Sequence, residues 1–333
     1  MQFKHGDIHR CGFEPAKTGS PTSAGQRWLP HRKIQNSQTG LFRGLRNLAR
    51  SFGAGTKAET LAARLEKCTD CQTKPDVVRF GYGSFFSVTL ALLISALPAL
   101  AAPPPGADWD WQLSERINPP KGIRAFDADP ESVTKEQIAA LNKAGVYTIC
   151  YVSVGTLENY RDDVDHFPPT IIGNRYDDWP DENFLDIRDT HHLPALMAQR
   201  FAHCKKLGFD AVEADNMDVY DNDSGFPLTR SDGLRYIRML AKTAHRLGLE
   251  IGQKNVPDLT PELVGTMDFV ITESCYQDGW CKQVLPYIKA GKPVFDAEYS
   301  DRPINFNKAC KVAKSMRISM ILKKRQLAPG RRV

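Results

Sequence analysis

Short apolar runs alternate from residue 109 onward with segments whose apolar residues recur at helical spacing. The runs that predict strands of one sheet begin at Ile123, Tyr147, Phe184, Phe209, Leu249, Phe269, Pro293 and Ser319. Most are separated by a predicted helix, such as His191–Leu207, which ends before Gly208. Eight β/α units over roughly 230 residues predict a (β/α)8 TIM barrel, with an earlier strand, Trp109–Leu113, covering its bottom or side.

A doubly wound open sheet is the alternative fold for such an alternation. No glycine-rich phosphate loop follows the first predicted strand, Ile123–Asp127, which disfavours a dinucleotide-binding sheet. A helix over Ser231–Leu247 is predicted to follow the strand Phe209–Asp215, with Ser231 as its N-cap.

Residues 83–102 form the only long apolar run of the chain. Arg79 precedes the run, and Ala99-Leu100-Ala101 is a small-residue cleavage pattern, so residues 79–102 are predicted to be a signal peptide. A single membrane anchor is the competing interpretation, which Pro98 and the lack of a following basic cluster disfavour. We then expect a linker over 103–107, a catalytic barrel over 108–326, and a secreted or periplasmic protein.

The predicted signal peptide does not begin at the N-terminus, where such segments belong. We expect residues 1–78 to be either disordered or absent from the natural product, with translation starting near Val77 or Val78. The rival interpretation is a cytoplasmic tail in which Cys68 and Cys71 form half of a zinc site, but one such pair is a weak signal.

The positive net charge of the chain, +5, belongs to this leader. Residues 1–79 hold 14 Lys and Arg against 6 Asp and Glu, whereas residues 103–333 hold 30 against 33. The predicted barrel is therefore slightly acidic, and the composition gives no reason to expect nucleic-acid binding.

Five cysteines follow the leader. Cys275 and Cys281 flank a turn at Gly279 and are the pair predicted to form a disulfide in an oxidising compartment. Cys150, in an apolar strand, and Cys204, on a helix, are predicted to be buried free thiols.

Polar residues occupy the carboxyl ends of nearly all predicted strands, where the chemistry of a TIM barrel lies. The acidic row of the strand Phe209–Asp215 is the clearest case, because alternation places Glu213 and Asp215 on one face. The predicted substrate-binding residues at these ends are Asp127, Tyr151, Ser153, Asp186, Arg188, Glu213, Asn216, Lys254, Asn255, Glu298 and Tyr299. Nearby aromatic residues, including Trp179, could stack on sugar rings.

Paired carboxylates can serve as acid and base, or as acid and nucleophile, which is the machinery of glycoside hydrolysis. The chain has neither a serine nucleophile elbow nor an HExxH zinc motif. The segment Asp218–Asp223 resembles a calcium loop only superficially, since it lacks the glycine and the terminal glutamate. No metal or cofactor is predicted.

An ordered set of motifs over residues 108–325 resembles glycoside hydrolase family 114, the endo-α-1,4-polygalactosaminidase family. The motifs include Trp109-x-Trp-Gln-Leu, Cys150-Tyr-x-Ser, Phe184-Leu-Asp-Ile-Arg, Glu213-x-Asp-Asn, Lys254-Asn and Glu273-x-Cys. The resemblance implies a barrel that cuts α-1,4-linked galactosamine polymers with retention, with Asp215 as nucleophile and Glu273 as acid/base. Glu213 would tune Asp215 or hold a substrate amine.

A cationic polysaccharide is therefore the expected partner of a monomeric, cofactor-free enzyme, and an acidic cleft would attract it. A non-catalytic carbohydrate-binding barrel is the alternative function, which the two intact acids disfavour. Metal-dependent deacetylation is a third, which the missing histidine and aspartate ligands disfavour.

Overall fold

The computed structural model describes residues 101–177 and 179–333. Its strands are β1 (Trp109–Gln112), β2 (Ala125–Ala128), β3 (Tyr147–Ser153), β4 (Thr156–Glu158), β5 (Ile172–Tyr176), β6 (Trp179–Leu185), β7 (Ala211–Asp215), β8 (Glu250–Lys254), β9 (Phe269–Glu273), β10 (Val294–Tyr299) and β11 (Ser319–Lys323). Its α-helices are α1 (Lys135–Lys143), α2 (Leu193–Leu207), α3 (Arg230–Arg246), α4 (Thr260–Leu263), α5 (Leu285–Lys289) and α6 (Phe306–Met316).

Eight parallel strands form a nearly closed barrel, which confirms the predicted fold. They lie in the order β1-β2-β3-β7-β8-β9-β10-β11. The two end strands approach each other where Trp109 Nε1 donates a hydrogen bond of 2.8 Å to the carbonyl of Ser319. The acidic strand β7 is the fourth of the eight, and β9, which ends at Glu273, is the sixth.

Two strands lie elsewhere than predicted. The Trp109 strand, predicted to cover the barrel, is barrel strand β1, and each of its four residues is buried. The Phe184 strand, predicted as a barrel strand, lies in β6, the middle of an antiparallel sheet with order β4-β6-β5. The connection that joins two parallel strands is usually an α-helix, and no α-helix lies between β3 and β6. This segment instead pairs antiparallel with its neighbours β4 and β5.

The helix that follows β7 has a capping box, but its N-cap differs from the predicted one. Thr229, rather than Ser231, caps α3, because its hydroxyl accepts from the backbone N–H of Asp232 and the Asp232 carboxylate accepts from Thr229. Helix α2 ends at Gly208, whose φ of 100° is left-handed and favours glycine.

Apolar side chains fill both the barrel interior and the layer between strands and helices. Trp109, Trp111, Tyr147, Phe269 and Phe295 are packed inside the barrel. A side chain at Gly252 would collide with the ring of Phe269, since an added Cβ would lie 2.2 Å from it. The interior is therefore a packed core below the strand ends.

Two disulfides join described residues, and one of them is the predicted pair. Cys275 and Cys281 are bonded, with their Cα atoms 4.7 Å apart. Cys150 and Cys204 are also bonded, across 6.0 Å, so the prediction of two free thiols was wrong. A buried thiol and a buried disulfide occupy equally apolar surroundings, and only the packing of α2 against β3 brings this pair together.

The predicted leader of residues 1–78 lies outside the described residues, as does the predicted signal peptide except for its last two residues. Within the described part of the chain, no helix combines the length and the apolar character needed to cross a membrane.

Candidate active site

The acidic end of β7 turns sharply into the cleft at the top of the barrel. Asn216 follows Asp215 with a left-handed φ of 62°. Its side-chain amide donates hydrogen bonds of 3.1 Å to the hydroxyls of Ser153 and Thr156. Gly155 permits this turn, because an added Cβ would lie 1.9 Å from the carbonyl oxygen of Asn216.

Lys254, at the end of β8, joins three carboxylates. Its Nζ lies 2.7 Å from Asp215 Oδ1, 3.0 Å from Glu213 Oε1 and 3.1 Å from Glu273 Oε2. It also lies 4.8 Å from the centre of the Trp111 ring, a cation–π contact. Burial disfavours the charged amine, but the three carboxylates outweigh burial and raise the pKa of Lys254 well above its usual value.

Glu273 is held by donors on both of its oxygens. The Tyr299 hydroxyl donates to Oε1, and Asn255 Nδ2 donates to Oε2 across 3.2 Å. The backbone N–H of Glu273 donates to Asn255 Oδ1 across 2.9 Å, which fixes the amide orientation. Burial opposes ionisation, but the charge of Lys254 and these hydrogen bonds lower the pKa of Glu273 below its usual value.

Asp215 and Glu273 face each other across Lys254. Because Asp215 Oδ1 and Glu273 Oε2 lie 2.7 Å and 3.1 Å from the same nitrogen, these two oxygens are at most 5.8 Å apart. Both side chains retain contact with solvent, at 20% and 28% exposure, whereas Lys254 is 2% exposed. A substrate can therefore reach both carboxylates but not the lysine beneath them.

A second pair of carboxyl groups, Asp127 and Glu213, is buried below the first. Among the described residues, Lys254 Nζ, 3.0 Å from Glu213 Oε1, is the one cation that forms an ion pair with either group. Burial, together with the charge of Glu213, raises the pKa of Asp127 well above its usual range. Burial and Asp215 raise the pKa of Glu213 to about 7, against the attraction of Lys254. Two such groups avoid repulsion when one of them carries a proton.

The site lies in a cleft of about 850 Å³ at the carboxyl ends of the strands. The lining residues that sequence reasoning identified are Tyr151, Asp215, Asn216, Lys254, Asn255, Glu273 and Tyr299. The structure thus brings both predicted catalytic acids and five of the predicted binding residues to one cavity.

Four other predicted binding residues lie behind the cleft. Asp127, Ser153, Glu213 and Glu298 are buried and are absent from its lining. Glu298 accepts hydrogen bonds from the backbone N–H groups of Tyr276 and Gln277, at 2.6 Å and 3.1 Å. It thereby orders the loop that follows Glu273 and carries the Cys275–Cys281 disulfide.

Asp186 and Arg188 lie outside the cleft lining. They pair with each other, with Arg188 Nη2 2.7 Å from Asp186 Oδ2. They were predicted to bind substrate because they follow a strand that was expected to join the barrel. That expectation was wrong, since β6 belongs to the small antiparallel sheet.

Several lining residues were not selected from the sequence: Glu158, Tyr160, Glu182 and Arg325. Glu182 carried a usable signal, because it shares a strand face with the buried Phe184. A carboxylate on the buried face of a strand is costly unless it has a partner or a function.

Among the described residues, one cluster has the side chains and spacing to hold a metal ion: Cys275, Cys281 and Asp296. Both cysteines are used by the disulfide, which leaves one carboxylate and does not fit a metal site. Asp218–Asp223, the segment that resembles a calcium loop, contains a short 3-10 turn over Val219–Asp221.

Comparison with protein-family models identifies the family of this chain. The sequence model of glycoside-hydrolase family GH114 matches residues 93–332. The crystal structure of Aspergillus fumigatus Ega3 in complex with galactosamine is 32% identical, covers 70% of this chain and 97% of that one, and superposes with a TM-score of 0.66. The glycoside hydrolase domain of PelA from Pseudomonas aeruginosa is 17% identical, covers 66% and 95%, and has a TM-score of 0.52, which supports the fold. A search of curated proteins gave no match. The chain belongs to glycoside-hydrolase family GH114 and is a glycosidase.

Proposed function

We propose that this glycosidase cleaves α-1,4-linked galactosamine-containing polysaccharide within the chain, by double displacement. The observation that carries the mechanism is the single cation, Lys254, that holds Asp215 and Glu273 with facing oxygens at most 5.8 Å apart. Retaining glycosidases place their two carboxyl groups about 5–5.5 Å apart and inverting enzymes about 6.5–9.5 Å apart, and two carboxylates bound to one cation favour the shorter separation.

In the first step Asp215 attacks the anomeric carbon while the bond to the leaving oxygen breaks. Glu273 gives its proton to that oxygen, so the departing sugar leaves as an alcohol and the enzyme holds a glycosyl ester. In the second step Glu273 takes a proton from water, and the resulting hydroxide displaces Asp215. Two inversions at the same carbon leave the product with the α configuration.

The charge of the cleft supports a cationic substrate. Six acidic residues line it, namely Asp129, Glu158, Glu182, Asp215, Asp218 and Glu273, against the basic residues Lys254 and Arg325. Such an excess attracts polyamine sugars by Coulomb forces. The relative at 32% identity was solved with galactosamine, which supports the same sugar here. The endo mode of cleavage follows from the family resemblance.

We also propose that the enzyme is exported, to the periplasm or the medium, and acts there as a monomer. Its two described disulfides support export, because such bonds persist in oxidising compartments.

The function is tested by incubating the purified protein with a partly deacetylated α-1,4-galactosamine polymer. We expect new reducing ends together with an early fall in polymer size, which is the mark of internal cleavage. Unchanged activity after treatment with a chelator is expected, since no metal step is involved. Binding of the polymer without new reducing ends would favour the carbohydrate-binding alternative.

A further inference from the structure

Glu182, on β6, presents an unused acceptor to the cleft. The residue is 8% exposed, and its Oε2 accepts a hydrogen bond of 2.5 Å from the hydroxyl of Thr156. Within the described part of the chain no donor binds its other oxygen, Oε1. That oxygen is not sealed from solvent, and Glu182 lines the cleft, so a nearly buried carboxyl group faces the substrate space.

The neighbouring cations are already committed to other carboxylates. Arg161 lies 2.6 Å from Asp129 and 2.7 Å from Glu158. Lys254 is held by the three carboxylates described above. Among the described residues, none forms an ion pair with Glu182, so its charge is available for a cation that arrives in the cleft.

The surroundings make ionised Glu182 costly until such a cation binds. Burial, with the charges of Glu158 and Asp215, raises the pKa of Glu182 to about 7, although Arg161 and the hydrogen bond from Thr156 act in the opposite direction. An ammonium group would replace the proton and provide the missing counter-charge.

Two aromatic side chains line the same cleft as this carboxyl group. Tyr160 and Trp179 are the large apolar side chains with the greatest exposure in the described structure, at 58% and 50%, and both line the same cleft. The Tyr160 hydroxyl donates to Glu158 across 2.6 Å, which holds the ring in place. Exposed rings in a cleft provide an apolar face for a sugar. A carboxylate in the same cleft provides an acceptor for the polar groups of that sugar.

Hydrogen bonds connect Glu182 to the catalytic strand end. The hydroxyl of Thr156, which donates to Glu182, accepts from Asn216 Nδ2 across 3.1 Å. Asn216 directly follows Asp215 and donates its backbone N–H to that carboxylate across 2.9 Å. A single hydroxyl, that of Thr156, therefore links Glu182 to the residue that follows Asp215.

We propose that Glu182, together with Tyr160 and Trp179, forms a subsite that binds the free ammonium group of a 2-amino sugar next to the scissile bond. This assignment rests on the proposed function. It adds which sugar residue the enzyme selects at this position. An acetamido group in the same place is larger and carries no charge, so an N-acetylated residue lacks the charge attraction to Glu182. The preference for deacetylated stretches of polymer then depends on this residue.

The test measures binding of an α-1,4-galactosamine oligomer and of its fully N-acetylated counterpart of equal length. Calorimetry is performed in an Asp215→Asn background, so that neither ligand is hydrolysed. Glu182→Gln is compared with Asp181→Asn, which removes the same charge from the exposed face of the same strand. The glutamine carbonyl can still accept from Thr156, and matching circular dichroism spectra verify that both variants fold.

We expect Glu182→Gln to weaken binding of the deacetylated oligomer by about tenfold or more, the range for a hydrogen bond between charged groups. Binding of the acetylated oligomer should change by less than about twofold, and Asp181→Asn should change neither. Equal weakening of both oligomers by Glu182→Gln, or no weakening of the deacetylated one, would overturn the subsite. Hydrolysis of the same oligomers by proteins with intact Asp215 tests the proposed function separately.

Discussion

The ammonium group of Lys254 lies 2.7 Å from Oδ1 of Asp215, and the same nitrogen also contacts Glu273 and Glu213. One buried cation therefore sets the separation of the two proposed catalytic acids and favours the ionised form of Glu273. Because Lys254 is 2% exposed, substrate does not replace it in these contacts without rearrangement. We regard it as a positioning residue whose charge acts through Glu273.

Replacing Lys254 should change the pH dependence of catalysis as well as its rate. Lys254 is the largest influence that lowers the pKa of Glu273, against burial. In the acid role Glu273 must be protonated, so kcat/KM should be highest at acidic pH and fall as pH rises through the pKa of Glu273. Lys254→Met removes the cation, raises that pKa and should move the alkaline limb to higher pH.

The measurement is kcat/KM from pH 3 to pH 9 on a galactosamine oligomer, on wild type and on Lys254→Met. Lys292→Met is the control, because Lys292 binds the backbone carbonyls of Val264 and Met267, away from the cleft. An alkaline limb that stays in place while kcat falls would contradict control of Glu273 by Lys254.

The Tyr299 hydroxyl should support catalysis through its hydrogen bond to Glu273. Tyr299→Phe removes one of the donors that stabilise ionised Glu273, and we expect kcat to fall about tenfold with little change in folding stability. Tyr147→Phe is the matched control, since the Tyr147 hydroxyl donates to Glu250 across 2.5 Å at the opposite end of the barrel. Similar kinetic losses in both variants would show that the effect is not specific to Glu273.

Removing either proposed catalytic carboxylate should stop hydrolysis without unfolding the barrel. We expect Asp215→Asn and Glu273→Gln each to lower kcat by about 10²–10⁴-fold or more. Both side chains retain solvent contact, so the isosteric amides cost little packing. Reducing-end assays and circular dichroism provide the readouts. Full activity in either variant would reject the role assigned to that residue.

The stability of the fold should depend on Glu182 in a pH-dependent way. Its pKa in the folded protein is raised to about 7 from an ordinary value of 4.5. The folded state therefore holds this proton more tightly than the unfolded chain, and the stability gained from it is present below about pH 4.5 and lost as pH rises through about 7. Burial and neighbouring carboxylates cause the shift.

Glu182→Gln cannot ionise, so the variant does not lose this stability as pH rises. The free energy of unfolding of the variant minus that of wild type should therefore increase by on the order of 2 kcal/mol from pH 4 to pH 8. Urea denaturation at the two pH values measures this difference. The difference cancels contributions from other titrating groups that both proteins share. If the difference in free energy of unfolding between the variant and wild type did not change with pH, the pKa of Glu182 would not be raised by folding.

The two described disulfides should contribute different amounts to the free energy of unfolding. Cys150 and Cys204 are separated by 54 residues, whereas Cys275 and Cys281 are separated by six. Chain-entropy arguments give about 4 kcal/mol for the longer loop and about 2 kcal/mol for the shorter one. Denaturation of the paired Cys→Ala variants measures both. A larger loss from the short loop would indicate that it orders the segment after Glu273 beyond its entropic effect.

Sequence reasoning predicted the barrel and the catalytic pair better than the placement of single strands. The carboxylates at the ends of β7 and β9 follow apolar runs, and that pattern is visible without a structure. The Trp109 and Phe184 strands exchanged places, because an apolar run does not reveal which sheet it joins. Asp186 and Arg188 were selected on that basis, and both lie outside the cleft.

Glu182 shows a different limit of sequence reasoning. Its shared strand face with Phe184 indicates burial, but its hydrogen bond from Thr156 joins residues that are distant in sequence. The disulfide between Cys150 and Cys204 depends in the same way on how α2 packs against β3. Contacts of this kind arise from tertiary packing and leave no local pattern.

The central claim is retaining hydrolysis of an α-1,4-linked galactosamine polymer by Asp215 and Glu273, and the anomeric configuration of the first product tests it most directly. Proton NMR spectra recorded in the first minutes of the reaction, before mutarotation, distinguish the two anomers at the new reducing end. We predict that the α anomer appears first and that the β anomer grows later. A β anomer that appears first would contradict double displacement, and the absence of any new reducing end would contradict the proposed substrate.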